Sequence, residues 1–317
     1  MTWANNSIVT EFILFGFSDL LQLQLLLFVI FLIMYFAMLL GNIFIVLLTT
    51  TDPALQNPMY FFLRNLSLLE LCLTLVIVPK MLVNLLSENK AISFPGCAMQ
   101  MFFFFFFGST ECFLLATMAY DRYAAICNPL HYTVIMNKRF CVQLALFSWF
   151  SGIPVGTVQT TWLFSFPFCG PNEVNHFFCD SPPVLKLVCG DTYLFEIYAI
   201  TGTILVVLSP FMLILVSYAR IIVTILRMPS VTGRHKAFST CSSHLIVVTL
   251  FYGTIGLTYF RPKSSYSANT KKLLSLFYTV FTPMLNPIIY SLRNKEVKGA
   301  MRRLWHKKNQ CNCSCEP

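Results

Sequence analysis

Charge is what this sequence has least of. Only 11% of its 317 residues are charged, against roughly 25% in an average soluble domain. Hydrophobic residues make up 56% and the mean hydropathy is +0.69, so a water-facing surface cannot be covered with what is present, and the remaining solvent is lipid. No Lys or Arg occurs between Met1 and Leu20, so no cleavable secretory signal with its basic n-region is expected. Internal repeats are absent, as are the His-Glu-x-x-His and Gly-x-Ser-x-Gly motifs of metallo- and serine hydrolases. Nor is there a Gly-interrupted pair of half-helices of the kind that builds many transporter sites. An enzyme is therefore not expected. The net charge of +9 is scattered in short segments between apolar runs, which reports membrane topology rather than a nucleic-acid partner.

What is there are seven apolar runs. A bilayer core of about 30 Å takes about 20 apolar residues in helix. Leu20 to Thr51 carries no charge and houses a first span near Leu23–Thr49. The second lies near Pro58–Leu82, the third near Gly96–Tyr120 through the phenylalanine run Phe102 to Phe107, and the fourth near Phe140–Trp162. Glu196 to Arg220 brackets the fifth, Lys236 to Arg261 the sixth and Lys272 to Arg293 the seventh. The expected fold is an all-α seven-helix membrane bundle in a single unit, with residues 1–22 preceding it, 23–292 forming it and 293–317 as a tail.

Arg122, Lys138, Arg139, Arg220, Arg227, Arg234 and Lys236 all fall on one side of these spans, together with the basic tail. The other side holds Glu88, Glu173, Asp180, Asp191 and Glu196. The positive-inside rule places the first set in the cytoplasm and the N-terminus outside, as expected of a multi-pass plasma-membrane protein. Asn5 of Asn5-Asn6-Ser7 is then a glycosylation acceptor on the exported side, whereas the matching triplets at Asn65 and Asn312 are not. Asn294 to His306 alternates basic and apolar residues, which reads as a short amphipathic helix on the lipids of the inner leaflet.

Of 12 cysteines, Cys97, Cys169, Cys179 and Cys189 share the outer, oxidising side where disulfides persist. The preferred pairing is Cys97 with Cys179 and Cys169 with Cys189; Cys97 with Cys189 is the alternative, and spacing alone does not decide between them. Cys311, Cys313 and Cys315 follow the basic segment, where palmitoylation, a metal site and an unmodified tail all stay open.

Two acids, Glu70 and Glu111, lie inside spans. Such groups usually face the bundle interior and carry function. Sharing one low-dielectric site, they would hold either a proton or a cation between them. With Asn42 and Asn286 they form a candidate sodium or proton site, which also supplies the alternative reading of an ion- or proton-coupled transporter. The bland reading is a pair of hydrogen-bonded packing acids. Pro154, Pro210, Pro283 and Pro287 each remove a backbone donor within a span.

Four motifs then narrow the class. Met118–Tyr132 (MAYDRYAAICNPLHY), Lys236–Leu245 (KAFSTCSSHL), Pro283–Asn294 (PMLNPIIYSLRN) and Pro58–Cys72 (PMYFFLRNLSLLELC) together resemble the signatures of odorant receptors, a family of rhodopsin-like G-protein-coupled receptors. The likeness runs from the N-terminal acceptor site to the tail. Ala124, Arg64 and Glu70 depart from the usual residues, the last lengthening an expected aspartate by one methylene.

The resemblance implies the preferred two-disulfide arrangement and a small volatile odorant as ligand. It also implies a heterotrimeric G protein with a stimulatory α subunit as partner, cyclic AMP as output, and no cofactor beyond a bound sodium ion. It assigns activation to Asp121, Arg122 and Tyr123, with Tyr218 and with Asn286, Pro287 and Tyr290 moving inward to support Arg122. By helical spacing and the same analogy, the ligand would meet Phe104, Phe105, Gly108 and Ser109 on the third span. Gly202, Thr203 and Val206 on the fifth and Tyr252, Ile255 and Tyr259 on the sixth would lie opposite, with Thr279 on the seventh closing the floor. Phe104 stands where amine receptors carry an aspartate, which argues against a simple cationic amine. A retinal photoreceptor would need a lysine inside the seventh span, and none lies between Lys272 and Arg293.

Overall fold

A computed structural model describes residues 9–17, 22–169, 171–259, 268–293 and 296–303. Seven helices among them are long and apolar enough to cross a membrane. They are α1 (Gln24–Thr51), α2 (Pro58–Leu86), α3 (Phe94–Cys127), α4 (Lys138–Ser165), α5 (Tyr193–Arg227), α6 (Val231–Tyr259) and α7, which runs through Ala268–Leu276, Phe277–Phe281 and Thr282–Arg293. The chain is a seven-helix membrane bundle.

Local chemistry starts several helices. Asn57, Ser93 and Asn137 each accept a hydrogen bond from a backbone N–H in the first turn, of Tyr60, Gly96 and Phe140 respectively, and Pro58 and Pro95 stand where no helical donor is needed. Several helices outrun the expected spans: α3 continues to Cys127, α5 to Arg227, and α6 begins at Val231 rather than Lys236. Charged residues mark where lipid ends, but backbone hydrogen bonds carry a helix on into water. In α7 the five residues Phe277–Phe281 form a π turn just before Pro283. A wider turn there suits a backbone that loses a donor at Pro283.

α3 is the central column, packed against α2, α4, α5 and α6, while α1 lies against α2 and α7. The α3–α4 contact is the closest. A Cβ added at Gly152 would sit 2.4 Å from the Phe106 carbonyl oxygen, and one at Gly156 would sit 2.8 Å from that of Phe102. Gly152-Ile-Pro-Val-Gly156 is thus a small-xxx-small seam that lets two backbones meet.

A small sheet caps one end of the bundle. β1 (Glu11–Leu14) pairs antiparallel with β2 (Ala91–Ser93) and parallel with β3 (Glu173–Val174), in the order β2-β1-β3. Phe12 and Leu14 alternate inward and are fully buried, Phe12 meeting the rings of Phe94 and Phe168 at 5.8 and 5.3 Å. The same end carries the disulfides Cys97–Cys179 and Cys169–Cys189, the preferred pairing rather than the Cys97–Cys189 alternative. At the opposite end residues 296–303 are helical, with Val297 and Ala300 fully buried. Arg303 pairs there with Asp52 at 2.9 Å, and Tyr60 donates to Glu296 at 2.8 Å. Asn5, the Tyr259 side chain, Leu304, Trp305 and the tail cysteines lie outside the described residues.

Candidate functional site

Three zones of the bundle collect the sequence-selected residues. At the disulfide end, the loop after β3 is held to α3 by the Cys97–Cys179 bond and by Cys179 N–H donating to Gln100 Oε1 at 2.9 Å. This sets Phe178 against Phe104, ring centroids 4.9 Å apart, and Tyr278 of α7 lies 5.9 Å from the same ring. Phe105 is half-buried, its ring 5.3 Å from that of Phe104, and packs against both the cap cluster and the cluster that holds Phe104. His176 Nε2 lies 3.2 Å from Ser275 Oγ, which also accepts from Tyr278 OH at 3.2 Å. Burial, above all, pushes the His176 imidazole down to about 3, so it is neutral at physiological pH.

Further along α3, Gly108 faces space: no heavy atom lies within 4 Å of a Cβ built there, and the same holds at Gly202 on α5. Ser109, Tyr252 and Ile255 are buried, Val206 half-buried. Tyr252 donates to the Cys112 carbonyl at 3.2 Å, tying α6 to α3. Thr203 and Thr279 donate to Ala199 O and Ser275 O within their own helices, both at 2.7 Å. Their hydroxyls therefore keep only acceptor capacity, fewer free donors than spacing suggested.

The second zone lies at mid-bundle. Glu70, Glu111, Asn42 and Asn286 are all at most 1% exposed. Asn286 donates to Glu70 Oε1, Asn42 donates to Pro283 O at 3.3 Å, and Glu111 is near enough to Glu70 for their charges to interact. Four buried oxygens find no hydrogen-bond partner: Asn42 Oδ1, Glu70 Oε2, Glu111 Oε1 and Asn286 Oδ1. Buried unpaired acceptors are rare enough to need an explanation. No cluster of three or more His, Cys, Asp and Glu suited to a metal occurs among the described residues, so a transition-metal centre does not supply it.

The third zone is the end opposite the disulfides. Asp121 pairs with Arg122, and Tyr132 OH donates to the second oxygen of Asp121 at 2.7 Å. Burial, then the Asp121 charge, push the Tyr132 phenol up, so it stays a donor at every physiological pH. Tyr218 does not reach Arg122 here: its hydroxyl lies 2.6 Å from His244 Nδ1 on α6. Tyr290 is buried and its hydroxyl is unpaired, as is His244 Nε2. Pro287 packs against α1, where a Cβ at Gly41 would meet it at 3.1 Å. Tyr123 is half-buried beside Tyr120.

A family profile described as "Olfactory receptor" matches residues 31–308. The human olfactory receptor 10A7 is 65% identical over 303 residues, covering 96% of each chain. Olfactory receptor 10A5 of the same species is 67% identical over 308 residues, 97% of each, and 10A2 is 68% identical over 289, 91% of this chain and 95% of that one. The chain belongs to the olfactory receptor family. It is thus a G-protein-coupled receptor of the plasma membrane and not an enzyme. Within the receptor, residue spacing and motifs had already singled out Glu70, Glu111, Asn42 and Asn286, which the fold gathers from α2, α3, α1 and α7. Tyr132, His244, His176 and the Gly152–Gly156 seam were not singled out. The first two sit inside the quoted motifs, and the seam is a plain G-x-x-x-G; the role of His176 depends on a loop fold that no local pattern encodes.

Proposed function

We propose that the receptor binds a small, largely apolar odorant between α3, α5 and α6, toward the disulfide end, and that this end faces outside. The opposite end, with Asp121, Arg122 and the helix over 296–303, faces the cytoplasm and couples to a stimulatory heterotrimeric G protein that raises cyclic AMP. The observation that carries this reading is the contrast between the two ends: unfilled helix faces at Gly108 and Gly202, and an Arg122 held closed by Asp121, itself tethered by Tyr132. The asymmetry of basic residues supports the orientation.

Arg122 is a permanent cation, so what changes on activation is its company. An odorant that fits the active form better shifts the balance toward it. The ends of α5 and α6 then part, Tyr218 leaves His244, and Tyr218 and Tyr290 turn toward the released guanidinium. At mid-bundle the four unpaired oxygens of Asn42, Glu70, Glu111 and Asn286 suit a hard cation such as sodium, which prefers oxygen ligands. Sodium there would neutralise the acids and favour the closed form. The ligand is apolar with at most one or two polar atoms, because Phe104, Phe178 and Tyr278 wall the entrance and Thr203 and Thr279 offer acceptors only.

The test is a panel of volatile odorants applied to cells expressing the surface-tagged receptor, with cyclic AMP as readout. A dose-dependent rise that Gly108→Phe abolishes at equal surface level supports the assignment. An agonist whose potency is indifferent to Gly108→Phe and Gly202→Phe places the ligand elsewhere.

A further inference from the structure

On its lipid side α2 carries a cation that no described residue neutralises. Arg64 is half-buried on the face that also presents Leu68 and Leu75, both exposed. Its guanidinium lies over the Phe61 ring, 5.6 Å from the centroid, and it makes no hydrogen bond or ion pair among the described residues. The acids at this end are engaged elsewhere: Asp52 with Arg303, Asp121 with Arg122, and Glu296 with Tyr60. An arginine keeps its charge at every physiological pH, and a ring face offsets only a small part of it.

The helix sets the height of that charge. α2 has 29 residues, about 43 Å at a rise of about 1.5 Å per residue, against a hydrocarbon core of about 30 Å. Centred in the bilayer, it overhangs by about 7 Å at each end. Arg64 stands six residues after Pro58, about 9 Å along the axis, so its Cα lies just inside the hydrocarbon edge. Side chains lean toward the N-terminus of their helix, here away from the bilayer centre, and the contact with Phe61 follows that lean. The guanidinium therefore reaches the layer of lipid phosphates, while Leu68 and Leu75 continue the strip into the acyl region.

The surroundings favour one kind of lipid. Lys138 and Arg139, both exposed, open α4 at the same end, and Trp149 of α4 donates to Asn65, next to Arg64, at 3.1 Å. A zwitterionic head group would bring its own cation toward these three, whereas an anionic one brings none. We propose that Arg64, with Leu68 and Leu75 below it, forms a binding site for an anionic phospholipid whose phosphate the guanidinium holds. A planar fork of N–H donors suits phosphate oxygens. On the orientation proposed above this is the cytoplasmic leaflet, which carries the anionic lipids of a cell. The site is independent of where the odorant binds and of which G protein follows.

Full-length receptor in phosphatidylcholine nanodiscs is photolabelled with trace phosphatidylinositol or trace phosphatidylcholine, each carrying the same diazirine in one acyl chain. Peptide mapping reads the label on residues 61–75. Phosphatidylinositol should label this segment about fivefold more than phosphatidylcholine, the worth of one cation at a lipid surface. Arg64→Gln, which keeps most of the stem over Phe61 and loses the charge, should bring the two lipids to parity. Lys138→Gln combined with Arg139→Gln, made with Arg64 intact, should leave most of the preference, and tests the site if the Arg64 variant fails to fold. Equal labelling of the wild type by both lipids overturns the proposal. So does a preference that Arg64→Gln leaves unchanged, or one that the α4 double variant abolishes.

Discussion

Replacing Gly152 by alanine adds one methyl group where the bundle has no room for it. That Cβ would lie 2.4 Å from the Phe106 carbonyl oxygen, 2.7 Å from Thr110 Oγ1 and 2.8 Å from the Phe106 ring. The carbonyl belongs to the α3 backbone and cannot rotate away, so α4 must retreat by about 1 Å to restore ordinary contact. Overpacking of this kind costs about 1–3 kcal/mol. Alanine in place of glycine returns about 0.5–1 kcal/mol of helix propensity, leaving a net loss of about 0–2.5 kcal/mol, toward the upper end because the clash is with backbone. Gly202→Ala is the internal control: nothing lies within 4 Å of its added methyl, so it gains the propensity at no packing cost. Thermal unfolding of detergent-solubilised receptor, with surface abundance as a second readout, should rank Gly202→Ala at or above wild type and Gly152→Ala clearly below. If the two variants melt together, the close α3–α4 seam is not what holds these helices.

Removing the Cys97–Cys179 disulfide should destabilise more than removing Cys169–Cys189. Their loops span 82 and 20 residues, worth about 4–5 and about 3 kcal/mol by chain entropy, and Cys97→Ser and Cys169→Ser melting curves compare them. Asp180, in the loop after β3, is buried, and that burial raises its carboxyl to about 7 despite the Ser181 N–H that it accepts. Its folded pKa lies above its unfolded one, so this group favours folding below pH 4 and that advantage declines as pH rises toward 7. Melting temperature measured from pH 4 to 8 should therefore show a falling component that Asp180→Asn removes. Tyr132→Phe deletes a hydrogen bond to a charged acceptor, worth about 1.5–3 kcal/mol, and frees Asp121 from its tether. Basal cyclic AMP per surface receptor should change by several-fold, and an unaltered basal level would show that Tyr132 does not bias the equilibrium.

The seven spans were legible because lipid demands long uncharged runs, and such runs leave nothing else to read. Helix ends were less so: Arg220 and Lys236 report the edge of the membrane, while α5 and α6 run on to Arg227 and back to Val231. The β1–β2–β3 cap was missed because strands of 4, 3 and 2 residues carry too few positions for alternation to show. Glu70 and Glu111 announced themselves as acids in apolar surroundings, and Asn42 and Asn286 as amides near them. Tyr218 is expected to turn toward Arg122 on activation, and in this structure its hydroxyl bonds to His244. A motif names the parts of a two-state device without saying which state a given fold records.

The most direct test of the account is cyclic AMP production by an Arg122→Ala receptor, compared with wild type at matched surface level and driven by an odorant that activates the wild type. The account predicts that the response disappears while odorant binding persists. A full response from Arg122→Ala would contradict it, since the released Arg122 guanidinium is the group assigned to the contact with the G protein.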